Sequence, residues 1–477
     1  MAQTADVMDA TGVIEELRAL LGADAVLAPG EDLGRYEEGW RYGRGRALAV
    51  VRPSTTEEVS KVLAFAHARD LRVQPQGANT GLVGASNPDA SGGMLVLSLE
   101  RLAKRLEIDP LNRTVLVDGG VLLSQLNAAL EPHGLFYPID LGADPSLGGM
   151  VATNTGGTRL LKYGDVRHNL LGVEVVLADG TVVDGLNRLR KNNTGLDLQQ
   201  LFVGTSGAYG VVTGAVVQVA PLPKQRAVAL VGCADGEAAL ALLQALEREL
   251  ADVLSAFEVV SAQAYGAVFR HHELRNPYGA SEVPAYTALV EAASTLPESA
   301  LNLAETLESA LGAFLESERG EGVTDVFMGK AEDFWAIRHH ISESLRNEGK
   351  VLAFDISVPR SAMAAFTAAV EAKLAASHPY IRVCDFGHWG DGGTHLNLVW
   401  DEAEAPQAAA ELIAELQPLI YDLAVTGFQG SYSAEHGVGP HNQRFYDRYT
   451  AEPVKALNRA LKAELDPKGL LGTVKLG

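Results

Sequence analysis

Three histidines and a glutamate late in the chain are spaced to do metal chemistry. VCDFGH and HLNLVW are strand-like runs joined by WGDGGT. Paired as a hairpin, they set His388 at the end of one strand and His395 at the start of the next, with two imidazoles side by side. On the second strand His395 and Asn397 share a face, while Leu396 and Leu398 take the other. Ser433-Ala434-Glu435-His436-Gly437 offers a carboxylate and a third imidazole. Two histidines and one glutamate make a divalent site suited to Zn²⁺, with positions left open for substrate. His388, His395, His436 and Glu435 are therefore the groups such a site could draw on. The H-x6-H spacing alone would serve equally for a structural, hydrogen-bonded pair. The hairpin geometry and the separate Glu-His pair favour the metal.

A helix containing FWAIRHHISESL lies upstream. Phe334, Ile337, Ile341 and Leu345 form its apolar stripe, and Arg338 and Ser342 fall one turn apart on an adjoining face. Read from spacing alone, those two could equally be a solvated surface pair. His339 and His340 show no partner pattern.

The first half carries three glycine-rich loops, each after an apolar run. The first is Gln76-Gly77-Ala78-Asn79-Thr80-Gly81-Leu82-Val83-Gly84. The second runs from Ser146-Leu147-Gly148-Gly149 to Asn154-Thr155-Gly156-Gly157. The third is Gly204-Thr205-Ser206-Gly207-Ala208-Tyr209-Gly210. Glycines let successive backbone N–H groups converge on an anion that side chains would obstruct. Neither GxGxxG nor GxxxxGK[ST] is present, so a Rossmann fingerprint and a Walker loop are unsupported, and a nicotinamide cofactor is disfavoured. Three such loops in one region favour a large phosphate-bearing cofactor lying along several backbones.

Bulk composition agrees. The 477 residues include 49 glycines, are 47% hydrophobic and 21% charged, and carry a formal net charge of −21. This excludes wholesale disorder. The acidic surplus argues against nucleic acid and anionic membrane as partners. Cys233 and Cys384 are too few and too far apart for a disulfide scaffold or an iron–sulfur cluster, and read as buried thiols. No apolar run is long enough to span a bilayer, and the start shows neither a basic nor an apolar leader region. A cytoplasmic protein is the expectation.

Length and texture suggest a short helical lead-in (1–46), a β/α-alternating domain (47–222), a second α+β domain (223–452) and a helical tail (453–477). In the first domain, Ser54 and Glu57 read as a capping box for a helix carrying Val59, Val62, Leu63 and Ala66. Asp179-Gly180 reads as a hairpin turn. In the second, helices are expected over 236–254, 299–315, 332–347 and 402–423.

The segments RPSTTEEV, QPQGANTGLVG, DLGADPSLGGMVATNTGG, GVEVVLADGTVV and LFVGTSGAYGVVT, in that order, resemble the FAD-binding domain of the vanillyl-alcohol oxidase/p-cresol methylhydroxylase flavoprotein family. The resemblance implies an α+β fold: a two-subdomain FAD-binding domain of the p-cresol methylhydroxylase type, then an α+β, ferredoxin-like substrate or cap domain. It implies FAD bound through Pro75, Gly77, Ala78, Asn79, Thr80, Gly81, Ser146, Gly149, Asn154, Gly156 and Gly207. Relatives commonly have Glu where this chain has Ser206. Some attach FAD through a histidine of the first loop, but none occurs between Gln74 and Gly84, so non-covalent FAD is expected.

GHWGDGGTHLN and SAEHGVG are similar to the C-terminal domain of FAD-dependent 2-hydroxyacid dehydrogenases, and LRKNNTGLDLQQLF strengthens the likeness to the D-2-hydroxyglutarate dehydrogenase group. The resemblance implies that His388, His395 and Glu435 bind the catalytic metal, that Asn397 and His436 touch substrate, and that Arg338 and Ser342 hold its distal carboxylate. The group's further carboxylate-binding lysine falls at Ala353 here, with Lys350 three residues away. A shorter acid such as D-lactate then competes with D-2-hydroxyglutarate and D-malate.

The expected reaction is oxidation of a D-2-hydroxy acid to the 2-keto acid. His436 acts as general base and hydride passes to flavin N5. A metal-independent glycolate-oxidase-like flavoenzyme and a non-catalytic flavin electron carrier are the alternatives. Electron-transfer flavoprotein, a quinone or a cytochrome would suit as acceptor, and a homodimer accords with the resemblance.

Overall fold

Thr55 starts the first long helix of the β/α half. Its side chain accepts from the Glu58 backbone at 3.1 Å, and Glu58 accepts in return from the Ser54 backbone at 2.6 Å. The capping box therefore sits one residue later than expected, because Glu58 and not Glu57 lies three residues beyond the capping hydroxyl. The helix, Thr56–Ala68, buries Val59, Val62, Leu63 and Ala66 as its spacing predicts. The computed structural model describes residues 10–477; the first nine, on which part of the leader reading rests, lie outside the described residues.

The chain forms two compact units. The first comprises the residues up to Thr155, Asp165–Ala220 and Glu435–Gly477; the second comprises Gly156–Gly164 and Pro221–Ala434. Two main sheets build the first unit. One has four strands in the order Val26–Leu27, Ala47–Val51, Met94–Ser98, Arg72–Gln76, parallel except at its first pair. Ala47–Val51 and Met94–Ser98 are buried throughout, which is why they read as unbroken apolar runs. The other is a five-stranded antiparallel sheet in the order Leu106–Asp109, Thr114–Asp118, Val211–Gln218, Leu170–Val176, Val182–Asp184. Its last hairpin turns at Asp179-Gly180 as expected, with Gly180 at φ +91°.

The second unit is built on one seven-stranded antiparallel sheet, in the order Val323–Gly329, Gln225–Cys233, Tyr286–Ser294, Leu254–Ser261, Arg382–Gly387, Gly393–Trp400, Lys350–Ser357. One face is covered by helices Ala262–His271 and Ala331–Glu348. Their Ala264, Val268, Ile337, Ile341 and Leu345 pack on Val260, Leu289, Cys384 and Phe386. Helices Gly236–Leu250, Leu303–Leu315 and Met363–Ser377 contact the sheet and one another on the other side.

Among the elements that escape sequence reading are three of the second unit. Strand Val323–Gly329 is a half-buried edge. Helix Met363–Ser377 is rich in alanine around its circumference, so no stripe marks it. Helix Ala262–His271 follows its strand with only Ser261 as a cap. The helix expected from Glu402 begins at Ala409, after Pro406, whose ring bars helical geometry in the residue before it.

Candidate active site

The expected histidine hairpin is formed. Phe386 lies opposite His395 and Cys384 opposite Asn397. Gly387 has φ +151°, and a side chain there would press on the His395 backbone nitrogen at 3.0 Å, so only glycine lets the strand turn into His388. The His388 carbonyl then accepts from the backbone N–H groups of Asp391, Gly392 and Gly393, and Arg360 Nη1 donates to the Gly390 carbonyl at 3.0 Å. This rigid turn brings the Nε2 atoms of His388 and His395 to 3.2 Å. Two nitrogens on one tetrahedral zinc, each about 2.0–2.1 Å from the ion, stand roughly 3.4 Å apart. The donor pair fits a divalent ion.

Behind His388 lies a residue that sequence reading missed. Glu258 Oε1 takes His388 Nδ1 at 2.5 Å, and Oε2 takes Arg338 Nε at 2.5 Å. Burial by itself raises the Glu258 pKa, but the charges and hydrogen bonds of His388 and Arg338 outweigh it and hold the group at about 2. Glu258 is thus an anion that can only accept. His388 donates from Nδ1, and in its neutral form keeps the Nε2 lone pair for a metal. The available signal was one carboxylate in the strand LSAFEVVS, Leu254–Ser261, every residue of which is buried.

Arg338 reaches the sheet from helix Ala331–Glu348, its guanidinium 4.7 Å from the centroid of the Phe386 ring. Ser342, one turn on, is exposed. Asn397 is buried and donates to the His395 carbonyl at 2.8 Å. Ala353 lies opposite Asn397, and Lys350 lies opposite Trp400 with its ammonium 4.0 Å from Glu402. No lysine therefore occupies the Ala353 position. Asp355, not singled out from sequence, lies opposite His395, and the two can offer ligand atoms within 4.8 Å of each other. A second buried carboxylate on this face, Glu291, is held by Arg159, Ser255 and Trp335 at 3.0, 2.8 and 2.9 Å.

Ala434, the last residue of the second unit, donates its backbone N–H to the Asp355 carbonyl at 3.2 Å, and Glu435 is the next residue in the chain. In the first unit, Glu435 and His436 can offer ligand atoms within 4.8 Å of each other. Their loop is fastened to two glycine loops. Ser206 Oγ donates to the Val438 carbonyl at 3.0 Å, and the His441 N–H donates to the Val83 carbonyl at 3.2 Å. His441 stacks on Tyr42 at 3.6 Å. Burial, then the nearby charges of Arg41 and Arg444, push the His441 pKa down to about 4, so this ring is neutral near pH 7.

The glycine loops of the first unit converge. A Cβ on Gly77 would meet Ser146 Oγ at 2.2 Å, and one on Gly207 would meet Pro75 at 3.5 Å. Ser206 and Gly204 donate their backbone N–H groups to Ala152 and Val151, at the end of the helix that Ser146 precedes. Asn154 caps that helix in the left-handed region and bonds Asp165. Asn79, also left-handed, is braced by the carbonyls of Arg35 and Glu38. Ala78, Thr80 and Gly81 continue this loop, and a Cβ on Gly149 would meet Ser146 Oγ at 3.2 Å. Gly156 opens the short segment that clusters with the second unit. The Ser146 hydroxyl is buried with no hydrogen-bond partner among the described residues. An orphaned hydroxyl in the space that a side chain on Gly77 would take fits a bound phosphate-bearing cofactor.

Comparison with known proteins gives matches over both halves of the chain. Residues 47–185 match the FAD binding domain, and residues 222–476 match the C-terminal domain of FAD linked oxidases. The mitochondrial D-2-hydroxyglutarate dehydrogenase of Bos taurus is 37% identical over 459 residues, covering 94% of this chain and 81% of that one. Its Arabidopsis thaliana counterpart is 34% identical, covering 97% and 81%. The crystal structure of p-cresol methylhydroxylase with substrate bound is 17% identical, with a TM-score of 0.69 over 96% of this chain and 95% of that one. The α+β fold of p-cresol methylhydroxylase type is thereby shown. The expected cytoplasmic location is overturned: these D-2-hydroxyglutarate dehydrogenases are mitochondrial by name. That expectation rested on a missing leader pattern, and an absence carries no address. Among the described residues, no helix is long and apolar enough to cross a membrane.

Proposed function

This chain belongs to the FAD-linked oxidases, and we propose that it oxidises a D-2-hydroxy acid to the 2-keto acid with non-covalent FAD and a divalent metal, Zn²⁺ by its donor set. When bound, the flavin supplies the hydride acceptor and the metal the Lewis acidity that lowers the pKa of the substrate hydroxyl. His388, His395 and Glu435 would hold the metal. The observation that carries the reading is the pair of imidazole nitrogens at 3.2 Å, one backed by a carboxylate that also holds an arginine.

The chain's own residues supply orientation, charge and proton transfer. Arg338 presents its Nη edge to the substrate's distal carboxylate, because its Nε is already spent on Glu258. Ser342 adds a hydroxyl one turn away, and Asn397 contacts the substrate beside His395. His436 takes the hydroxyl proton as general base. Its loop is fastened to the glycine loops through Ser206 and Val83, which supports a place for it close to the flavin. Pro75, Gly77, Ala78, Asn79, Thr80, Gly81, Ser146, Gly149, Asn154, Gly156 and Gly207 would line the FAD, with Ser146 Oγ donating to an anionic oxygen.

The names of the relatives favour D-2-hydroxyglutarate as substrate. Ala353 favours a second candidate, D-lactate, since the missing cation matters least for an acid without a distal carboxylate. The test is anaerobic stopped-flow mixing with D-2-hydroxyglutarate, D-malate and D-lactate, following flavin bleaching before and after chelator treatment. Bleaching by one acid, lost with the metal and restored by Zn²⁺, is expected. No bleaching by any 2-hydroxy acid would overturn the activity, and full bleaching in metal-free protein would overturn the metal's role.

A further inference from the structure

We infer that Glu258 is a positioning residue that couples the substrate-carboxylate arginine to a metal-ligand histidine, so that one buried carboxylate sets both ends of the substrate site. The inference rests on the proposed roles of His388 and Arg338. Glu258 has one oxygen on His388 Nδ1 and the other on Arg338 Nε, both at 2.5 Å, and its side chain is 1% exposed. Neither oxygen can move toward one partner without leaving the other. Its strand is pinned beside the hairpin, where Val259 lies opposite Gly387 and Val260 opposite Phe386. Phe386 also lies under the Arg338 guanidinium at 4.7 Å, so the arginine is fixed from two sides.

Three consequences follow from elementary chemistry. A carboxylate on Nδ1 fixes the imidazole tautomer and makes Nε2 a better electron-pair donor. A hydrogen bond at Nε turns the Nη1/Nη2 edge of Arg338 outward, toward a ligand. The negative charge between them also offsets the guanidinium, which would otherwise repel a divalent cation bound nearby. Glu258 need not touch substrate to do any of this. Glu291 provides an internal control. It is an equally buried glutamate on the same sheet face, but it bonds Arg159, Ser255 and Trp335, none of them a proposed ligand.

The experiment uses full-length, flavin-loaded protein as wild type, E258Q, E258D and E291Q. Each is stripped with a chelator and titrated with Zn²⁺ against a chromophoric competitor. KM and kcat for the 2-hydroxy acid are then measured at saturating zinc. E258Q is expected to bind Zn²⁺ roughly 10- to 100-fold more weakly and to raise KM about 10-fold, with flavin content unchanged. E258D keeps the charge but reaches less far, and falls between. E291Q stays within about twofold of wild type in both, as an independent site should. In metal-free protein labelled with ¹⁵N-histidine, His388 is expected as the single Nδ1–H tautomer in wild type and as a mixture in E258Q. Unchanged zinc affinity, KM and tautomer in flavin-loaded E258Q would overturn the coupling. A wild type that binds no zinc, yet loses its fixed tautomer in E258Q, would overturn the metal reading and leave the clamp standing. If E258Q does not fold, E258D decides, and wild-type values in it overturn the coupling.

Discussion

The Ser206 hydroxyl donates to the backbone carbonyl of Val438 at 3.0 Å, across 232 residues of sequence. It joins the third glycine loop to the loop that carries Glu435 and His436. Ser206 is itself left-handed at φ +52°, so its place is set by the loop and not by its own preference. An ionised glutamate at this position could not make the same bond, since a carboxylate cannot donate to a carbonyl.

Replacing this serine should therefore touch turnover before cofactor binding. S206A is expected to lower kcat roughly 2- to 10-fold, the cost of about one net hydrogen bond, with flavin absorbance per protein unchanged. Steady-state kinetics beside a flavin spectrum decide it. Loss of flavin with normal kcat per remaining flavin would show that the serine serves the cofactor instead.

His436→Ala should lose about 10²- to 10⁴-fold in kcat, the usual range for a general base, while retaining FAD. Single-turnover flavin reduction is the measurement. A variant with near-normal kcat would end the assignment of His436 as base.

Ala353→Lys should restore a cation opposite Asn397. The expected result is a rise of about 10-fold or more in kcat/KM for D-2-hydroxyglutarate relative to D-lactate, from a charge-assisted hydrogen bond to the distal carboxylate. An unchanged ratio would mean that Arg338 and Ser342 alone recognise that carboxylate.

Asp385 predicts a pH effect on stability. Burial raises its pKa to about 7 from 3.8, despite the hydrogen bond from Thr394. The folded chain therefore binds this proton more tightly than the unfolded one. The resulting stability is fully present below about pH 4 and is lost as pH rises through about 7. D385N keeps an acceptor for Thr394 and cannot ionise. The wild-type Tm should fall relative to that of D385N between pH 5 and pH 8, by thermal scans at matched rates. Parallel curves would refute the raised pKa.

Protein precipitated with acid should release all its yellow colour, because no histidine occurs between Gln74 and Gly84 to attach FAD in the first loop. Colour retained in the pellet would reveal a covalent link elsewhere.

The features legible in the sequence are those whose chemistry is local. The glycine loops, the turn between His388 and His395, the alternation that puts His395 and Asn397 on one face, and the stripe on helix Ala331–Glu348 all depend on residues a few positions apart. Spacing and backbone freedom decide such features before any tertiary contact forms. The same locality explains the misses. The helix expected from Glu402 ignored Pro406, and the alanine-rich helix Met363–Ser377 has no stripe to see.

Tertiary structure alone decided who stands behind each functional residue. Glu258 is 130 residues from His388, and 80 from Arg338. Asp355 meets His395 only through strand register. Ser206 meets Val438 only when the end of the chain returns to the first unit. No periodicity links such pairs, because their contact is fixed by which strands become neighbours in a seven-stranded sheet and where a loop closes. The sequence alone therefore determined a flavin-binding chain with a histidine hairpin. The fold decided that one buried carboxylate holds both the histidine and the arginine, since only chain closure can bring a single anion between them and make its burial tolerable.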